Sequence, residues 1–304
     1  MLKQLVYPLY DATHRGLFWS RNVNPWFKKR YGKGPFPTGH ISAEHLQHPE
    51  LDEALAEAFA ATGISVQPYR IGVEGYRTYL QRANYPDSYY GGGKDPHANF
   101  TEKTLEHYVS TDFIKWGEDC VLVDIAACTS PFSELVKEFF PLQTTYQQDL
   151  IYPAGIHGRR IGGWAHELHL PDASVDAVTL HCSLEHFEGN SDTRFFQELE
   201  RVLKPGGRAI ILPFYLANTY TIHVDPAFNW LKGHRPDVDP RAQLRYCSWK
   251  QYFSRHYDPI ALRERVLNQA PSLRLELYRV ENFQEVDPSC YLRFIGVFEK
   301  TLES

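Results

Sequence analysis

Two stretches of the chain carry residue types that can do chemistry. The first, HCSLEHF at His181–Phe187, puts two imidazoles and a carboxylate close together: His181, Glu185 and His186. Imidazole and an environment-tuned carboxylate remove protons near neutral pH, so each is a candidate general base. In a purely structural role the same residues would pack or cap a turn. The second stretch, VLVDIAACTSPF at Val121–Phe132, runs from an apolar strand pattern into Asp124. Small residues then follow: Ala126, Ala127, Cys128, Thr129 and Ser130. Small side chains let backbone approach a ligand closely. A helix starting behind them would aim free N–H groups and a positive dipole end at an anion. Alanine resists the positive φ that glycine adopts freely, so a plain structural turn is the competing reading.

Fourteen histidines invite a metal hypothesis. No His-x-x-x-His or His-Glu-x-x-His pattern occurs, and HELH at His166–His169 is the nearest approach to one. No metal is expected. The five cysteines are scattered and form no Cys-x-x-Cys pair. Without a secretory leader pattern, they read as reduced thiols in a cytoplasmic protein. The chain has 304 residues, 43% hydrophobic and 23% charged, with net charge −5. That suits a soluble chain able to bury a core. No long basic run points to nucleic acid, and no apolar run is long enough for a membrane span. The oligomeric state is not fixed by the sequence.

These residues need elements to hold them. Residues 1–118 read as an aromatic-rich, irregular and partly helical extension. It contains one clear helix over 42–61, where Leu51, Ala54, Leu55, Ala58 and Phe59 share a face. TEKTLEHYVSTDFI at 101–114 is also helical in its spacing, with Leu105, Tyr108, Val109 and Phe113 together. From 119 to 304 strands and helices alternate. Strands are predicted at 121–125, 144–148, 175–180 and 208–212. Helices are predicted over 130–140, with Ser130 as cap, and after Asn190 or Ser191, with Phe195, Phe196, Leu199, Val202 and Leu203 inward. Such alternation means a parallel sheet with right-handed crossovers. LRLELYRV and YLRFIGVFEK near the end alternate without a helix between them, which makes the last pair antiparallel. An insertion is expected at about 216–257.

The ordered set DIAACTSPF, QQD, LPDASVDAV, LEHF and ELERVLKPGGRAIIL resembles the class I S-adenosylmethionine-dependent methyltransferases, of the type 11 kind. The likeness covers roughly 120–300, and each motif alone is weak. It departs from the family at the glycines of the first motif. The resemblance implies an α/β fold: a doubly wound seven-stranded sheet with an antiparallel last strand, binding ligands outside the carboxyl ends of its strands. It implies S-adenosyl-L-methionine as cofactor, on Asp124, Ala126, Ala127, Cys128 and Ser130. Asp149, 25 positions after Asp124, would take the ribose hydroxyls. Trp164 and Ala165 would flank adenine, and Cys182 would wall the pocket. His181, Glu185 and His186 would face the sulfonium.

On that reading Tyr90, His223 and Asp225 are candidate substrate contacts, and YYGGGKDPHANF is a candidate lid. The expected activity is O- or N-methylation of a small organic molecule. A retired scaffold that has lost the cofactor, or non-methylating use of it, are the alternatives.

Overall fold

The structure is a computed structural model, and it describes residues 50–94, 99–142, 144–247 and 250–301. Helix α1 (Glu50–Ala60) is the C-terminal part of the helix expected over 42–61, whose first residues lie outside the described ones. Strand β1 (Val66–Tyr69), helix α2 (Val73–Arg82) and helix α3 (Phe100–Thr111) follow. Then come β2 (Val121–Ile125), α4 (Phe132–Leu135), β3 (Thr144–His157), β4 (Arg160–Gly162) and β5 (Val175–His181). Helix α5 (Ser191–Val202) leads into β6 (Leu203–Leu212). Strands β7 (Thr221–Val224), β8 (Gln243–Tyr246) and β9 (Ser254–His256), with helix α6 (Pro226–Lys232), make up the insertion. Helix α7 (Pro259–Arg265), β10 (Leu273–Val280), helix α8 (Phe283–Val286) and β11 (Phe294–Lys300) complete the chain.

The main sheet has eight strands in the order β1-β10-β11-β6-β5-β2-β3-β4. Strands β10 through β4 are the seven that were expected, and β11 runs antiparallel to both β10 and β6. The eighth strand is a difference: β1, from the N-terminal extension, pairs parallel with β10 through Val66 to Tyr69. A smaller sheet, β8-β7-β9, forms inside the expected insertion.

Both faces of the sheet are buried, which explains the nearly continuous apolar runs of its central strands. Successive residues point to opposite faces. Val123, Val178 and Ile211 join one core with Phe195, Phe196, Leu199 and Val202 of α5. Their neighbours Leu122, Ala177 and Ile210 join the other with Leu105 and Val109 of α3 and Tyr76 and Tyr79 of α2. The described part of 1–118 is therefore built into both cores, with Leu55, Phe59 and Ile64 in the first and α2 and α3 in the second. The crossover after β2 is shorter than expected: α4 gives way to a 3-10 turn at Val136–Glu138. Strand β3 is longer than expected, since its far end folds back on β4 beyond Asp149.

Candidate active site and cofactor cleft

The loop after β2 holds the shape that its small residues allow. Ala126 (φ 52°) and Cys128 (φ 48°) both adopt left-handed backbone, as does Cys182 (φ 50°) after β5. Each costs about 1–2 kcal/mol for a residue with a β-carbon. The loop is held there by β3. Ala127 N–H donates to the Gln148 carbonyl at 2.9 Å, and Ala126 N–H to Gln148 Oε1 at 3.1 Å. Cys128 N–H donates to Asp149 Oδ2 at 2.8 Å, and Tyr152 OH to the Cys128 carbonyl at 2.6 Å. Ser130 Oγ accepts from Phe132 N–H at 3.2 Å, but the N-cap of α4 is Pro131 and not Ser130 as expected, because the helix starts only at Phe132.

Two cavities open on this loop. The first, about 560 Å³, is lined by Asp124, Ala126–Ser130, His181, Cys182, Glu185 and His186, and beyond them by Tyr89, Tyr90, Lys103, Tyr215 and Tyr291. The second, about 630 Å³, is lined by Gln148, Asp149, Leu150, Trp164, Ala165 and His166. Ala126, Ser183 and His186 line both, so the two meet across the loop at the carboxyl ends of β2 and β5.

Asp124 Oδ1 accepts from Thr179 Oγ1 at 2.9 Å and lies 3.2 Å from His181 Nδ1. Its Oδ2 is buried and has no hydrogen-bond partner among the described residues. Glu185 repeats the pattern: Oε1 accepts from Cys182 Sγ at 3.2 Å, while Oε2 is buried and unpartnered. An orphaned buried carboxylate oxygen costs about 1–3 kcal/mol unless a ligand supplies the donor. His186 Nδ1 sits 2.6 Å from the Phe253 carbonyl. A carbonyl only accepts, so that nitrogen carries hydrogen and Nε2 faces Glu185 Oε1 at 3.5 Å. His181 differs, since both its nitrogens are engaged, Nε2 with Ser110 Oγ at 3.2 Å. It orients Asp124 and is placed less well to take a proton.

The residues missed in the sequence are on α3. Its apolar side was legible; its opposite side carries Glu102, Lys103, Glu106, His107 and Ser110, all buried. Lys103 Nζ donates to Glu106 Oε1 at 2.7 Å, and Glu102 Oε2 accepts from Tyr291 N–H at 2.8 Å. Burial, together with the Glu102 charge and against the pull of Lys103, pushes Glu106 up to about 8. Burial also opposes the Lys103 charge, but Cys182, Glu106, Tyr215 and Glu102 around it raise its pKa well above the ordinary value. His107 is driven well below its ordinary pKa by burial and by the His181 and Lys103 charges. It is neutral, bonded to Tyr85 OH (2.8 Å), Tyr89 OH (3.2 Å) and Ser130 Oγ (3.2 Å). The available signal was the charge pattern Glu102–Lys103–Glu106–His107, a polar stripe at helical spacing.

Of the other expected residues, Tyr90 lines the first cavity, and Trp164 and Ala165 the second. Trp164 stacks on His166 with ring centroids 5.6 Å apart. Among the described residues no group of three or more His, Cys, Asp or Glu is placed to hold a metal. His223 and Asp225 line neither cavity. His223 is buried in β7 with its ring 4.5 Å from that of His256. Asp225 caps α6, accepting from Phe228 N–H at 3.1 Å and from Lys250 N–H at 3.0 Å. Both sit within the insertion, apart from these two cavities.

Residues 123–211 match the family model described as a methyltransferase domain. That segment of the chain is similar to a methyltransferase domain. The match spans β2 to β6, which includes the loop and the His181–Phe187 segment. No curated protein matches the chain. Among solved structures, it is similar to Burkholderia thailandensis 1,6-didemethyltoxoflavin-N1-methyltransferase, solved with 1,6-didemethyltoxoflavin and S-adenosylhomocysteine. Identity is 17%, over 78% of this chain and 94% of that one, with TM-score 0.43. It is also similar to Haemonchus contortus phosphoethanolamine N-methyltransferase 2, at 14% identity over 75% and 60% of the chains and TM-score 0.44. A Haloferax volcanii methyltransferase, solved with the Trm112 activator, shares 13% identity over 75% and 98%, with TM-score 0.42.

Proposed function

We propose that the protein is a methyltransferase that binds S-adenosyl-L-methionine across the two joined cavities and methylates a small organic molecule on oxygen or nitrogen. The observation that carries this reading is the loop Ala126–Ser130. It keeps left-handed turns at Ala126 and Cys128 despite their β-carbons, and so leaves space at the meeting of the cavities.

The residues fit the cofactor. Asp149 uses one lone pair of each oxygen on Cys128 N–H and Ile151 N–H (3.0 Å), which leaves the others for a vicinal diol. Trp164 and Ala165 offer flat and small surfaces to a base. Asp124 Oδ2 awaits a donor beside the loop. When bound there, the cofactor supplies a methyl group already activated on a sulfonium. The protein's part is then to hold the acceptor in line and remove its proton. Glu185, with His186 behind it, takes that proton.

Titration calorimetry with S-adenosylmethionine and S-adenosylhomocysteine tests the reading. Micromolar binding, about −8 kcal/mol, is expected, with marked weakening in Asp149→Ala. Folded protein that binds neither at millimolar concentration would reject it in favour of a scaffold without cofactor.

A further inference from the structure

Lys103 stands apart in the acceptor half of the first cavity. It comes from α3, outside the span 123–211, and its side chain is only 9% exposed. It lines the cavity between Tyr89, Tyr90, Tyr215 and Tyr291, and its ammonium lies 5.5 Å from the Tyr291 ring centroid. Glu106 occupies one of its three N–H donors. A buried cation so placed repels an ammonium and attracts an oxyanion. The tyrosine rings favour a flat partner.

We infer that the methyl acceptor is a flat conjugated ring bearing an acidic hydroxyl, held with its oxygen on Lys103 and its proton against Glu185 Oε2. This rests on the methyltransferase reading above and deepens it. Two features support it. Glu185 Oε2 is buried without a donor. Glu106, pushed up to about 8 beside Glu102, takes a proton readily. A ligand anion can therefore claim the Lys103 charge without leaving Glu106 ionised and unpaired. In the transfer, the hydroxyl proton passes to Glu185 and the oxygen lone pair forms the new C–O bond. The methyl–sulfur bond breaks with its electron pair left on sulfur. The products are an aryl or enol methyl ether and S-adenosylhomocysteine, and Glu185 then returns the proton to water.

The probe is 4-nitrophenol, titrated by its phenolate absorption in the presence of S-adenosylhomocysteine, with 4-nitroaniline as the neutral analogue of the same shape. In the wild-type protein the bound phenol should ionise about one pH unit or more below its free value. The phenol should also bind about tenfold tighter than the aniline at neutral pH. Lys103→Met should abolish both effects. The double variant Lys103→Met/Glu106→Gln removes both members of the ion pair together, and should do the same while staying folded. Equal binding of phenol and aniline, no phenol binding, or an unchanged ionisation shift in the double variant would overturn the inference. Calorimetry of S-adenosylhomocysteine on the same samples separates the two readings. Normal cofactor binding without phenolate preference removes only the acceptor class. A Lys103-dependent phenolate preference without cofactor binding removes only the methyltransferase reading.

Discussion

At the scale of single residues, the loop after β2 separates residue type from backbone shape. Ala126 sits at φ 52° where glycine would be free of strain. Ala126→Gly should therefore leave stability equal or raise it by up to about 1 kcal/mol in urea unfolding, the gain being offset by chain entropy. Ala126→Val, β-branched at the same φ, should cost about 2 kcal/mol or more and weaken S-adenosylhomocysteine binding. Equal stability of the three proteins would show that the loop does not hold this turn. Glu185→Gln should lower turnover about 10²–10⁴-fold while leaving S-adenosylhomocysteine affinity within about twofold. A parallel loss of cofactor affinity would assign Glu185 to binding instead. The small residues and the paired acid and histidines were legible in the sequence. The left-handed turns were not, because alanine and cysteine do not announce them as glycine does. What fixes those turns is Gln148 and Asp149, more than twenty residues away.

At the scale of elements, the strands of the sheet could be read because their alternate residues serve two cores. Leu122 and Val123 face opposite ways, yet both are fully buried. The polar face of α3 was not legible. Charges at helical spacing ordinarily mean a solvated surface, and only tertiary packing shows that Glu102, Lys103 and Glu106 are buried and that Lys103 lines a cavity. His223 and Asp225 lie outside the two cavities for a related reason. A polar loop beyond a strand end resembles an active-site rim, but here the loop forms its own sheet. That sheet is anchored where Arg255 and Arg265 both meet Asp192, at the start of α5. Asp225→Ala removes the α6 cap and should cost about 1–2 kcal/mol. It should lower the midpoint of thermal unfolding and leave S-adenosylhomocysteine affinity unchanged. Loss of acceptor turnover without loss of stability would return Asp225 to the substrate site.

At the scale of the whole molecule, the buried acids of α3 link stability to pH. Glu106 titrates near 8 in the folded chain, above the ordinary carboxyl value, so the folded state holds a proton that the unfolded state has released. Its contribution is fully present at low pH and is lost as pH rises from about 4.5 to about 8. His107 pulls the other way, because with its lowered pKa the folded state gains stability as pH rises toward the ordinary histidine value, and the gain is complete above it. The difference between the wild type and Glu106→Gln isolates the acid. In urea unfolding at pH 5.5 and 8.5, the wild type should lose stability relative to the variant at the higher pH. An unchanged difference would mean that Glu106 is not held protonated. The eighth strand has a consequence of another kind. Among the described residues strand β1 pairs with β10, and Glu102 finds the Tyr291 amide, 189 positions further on. Contacts so distant along the chain form slowly. During synthesis on the ribosome, α3 can pack on β2, β5 and β6 as they emerge, but Glu102 gains its amide partner, and the first cavity its Tyr291 wall, only near the end. The cleft that would bind the cofactor is thus available before the last part of the wall that would choose the acceptor.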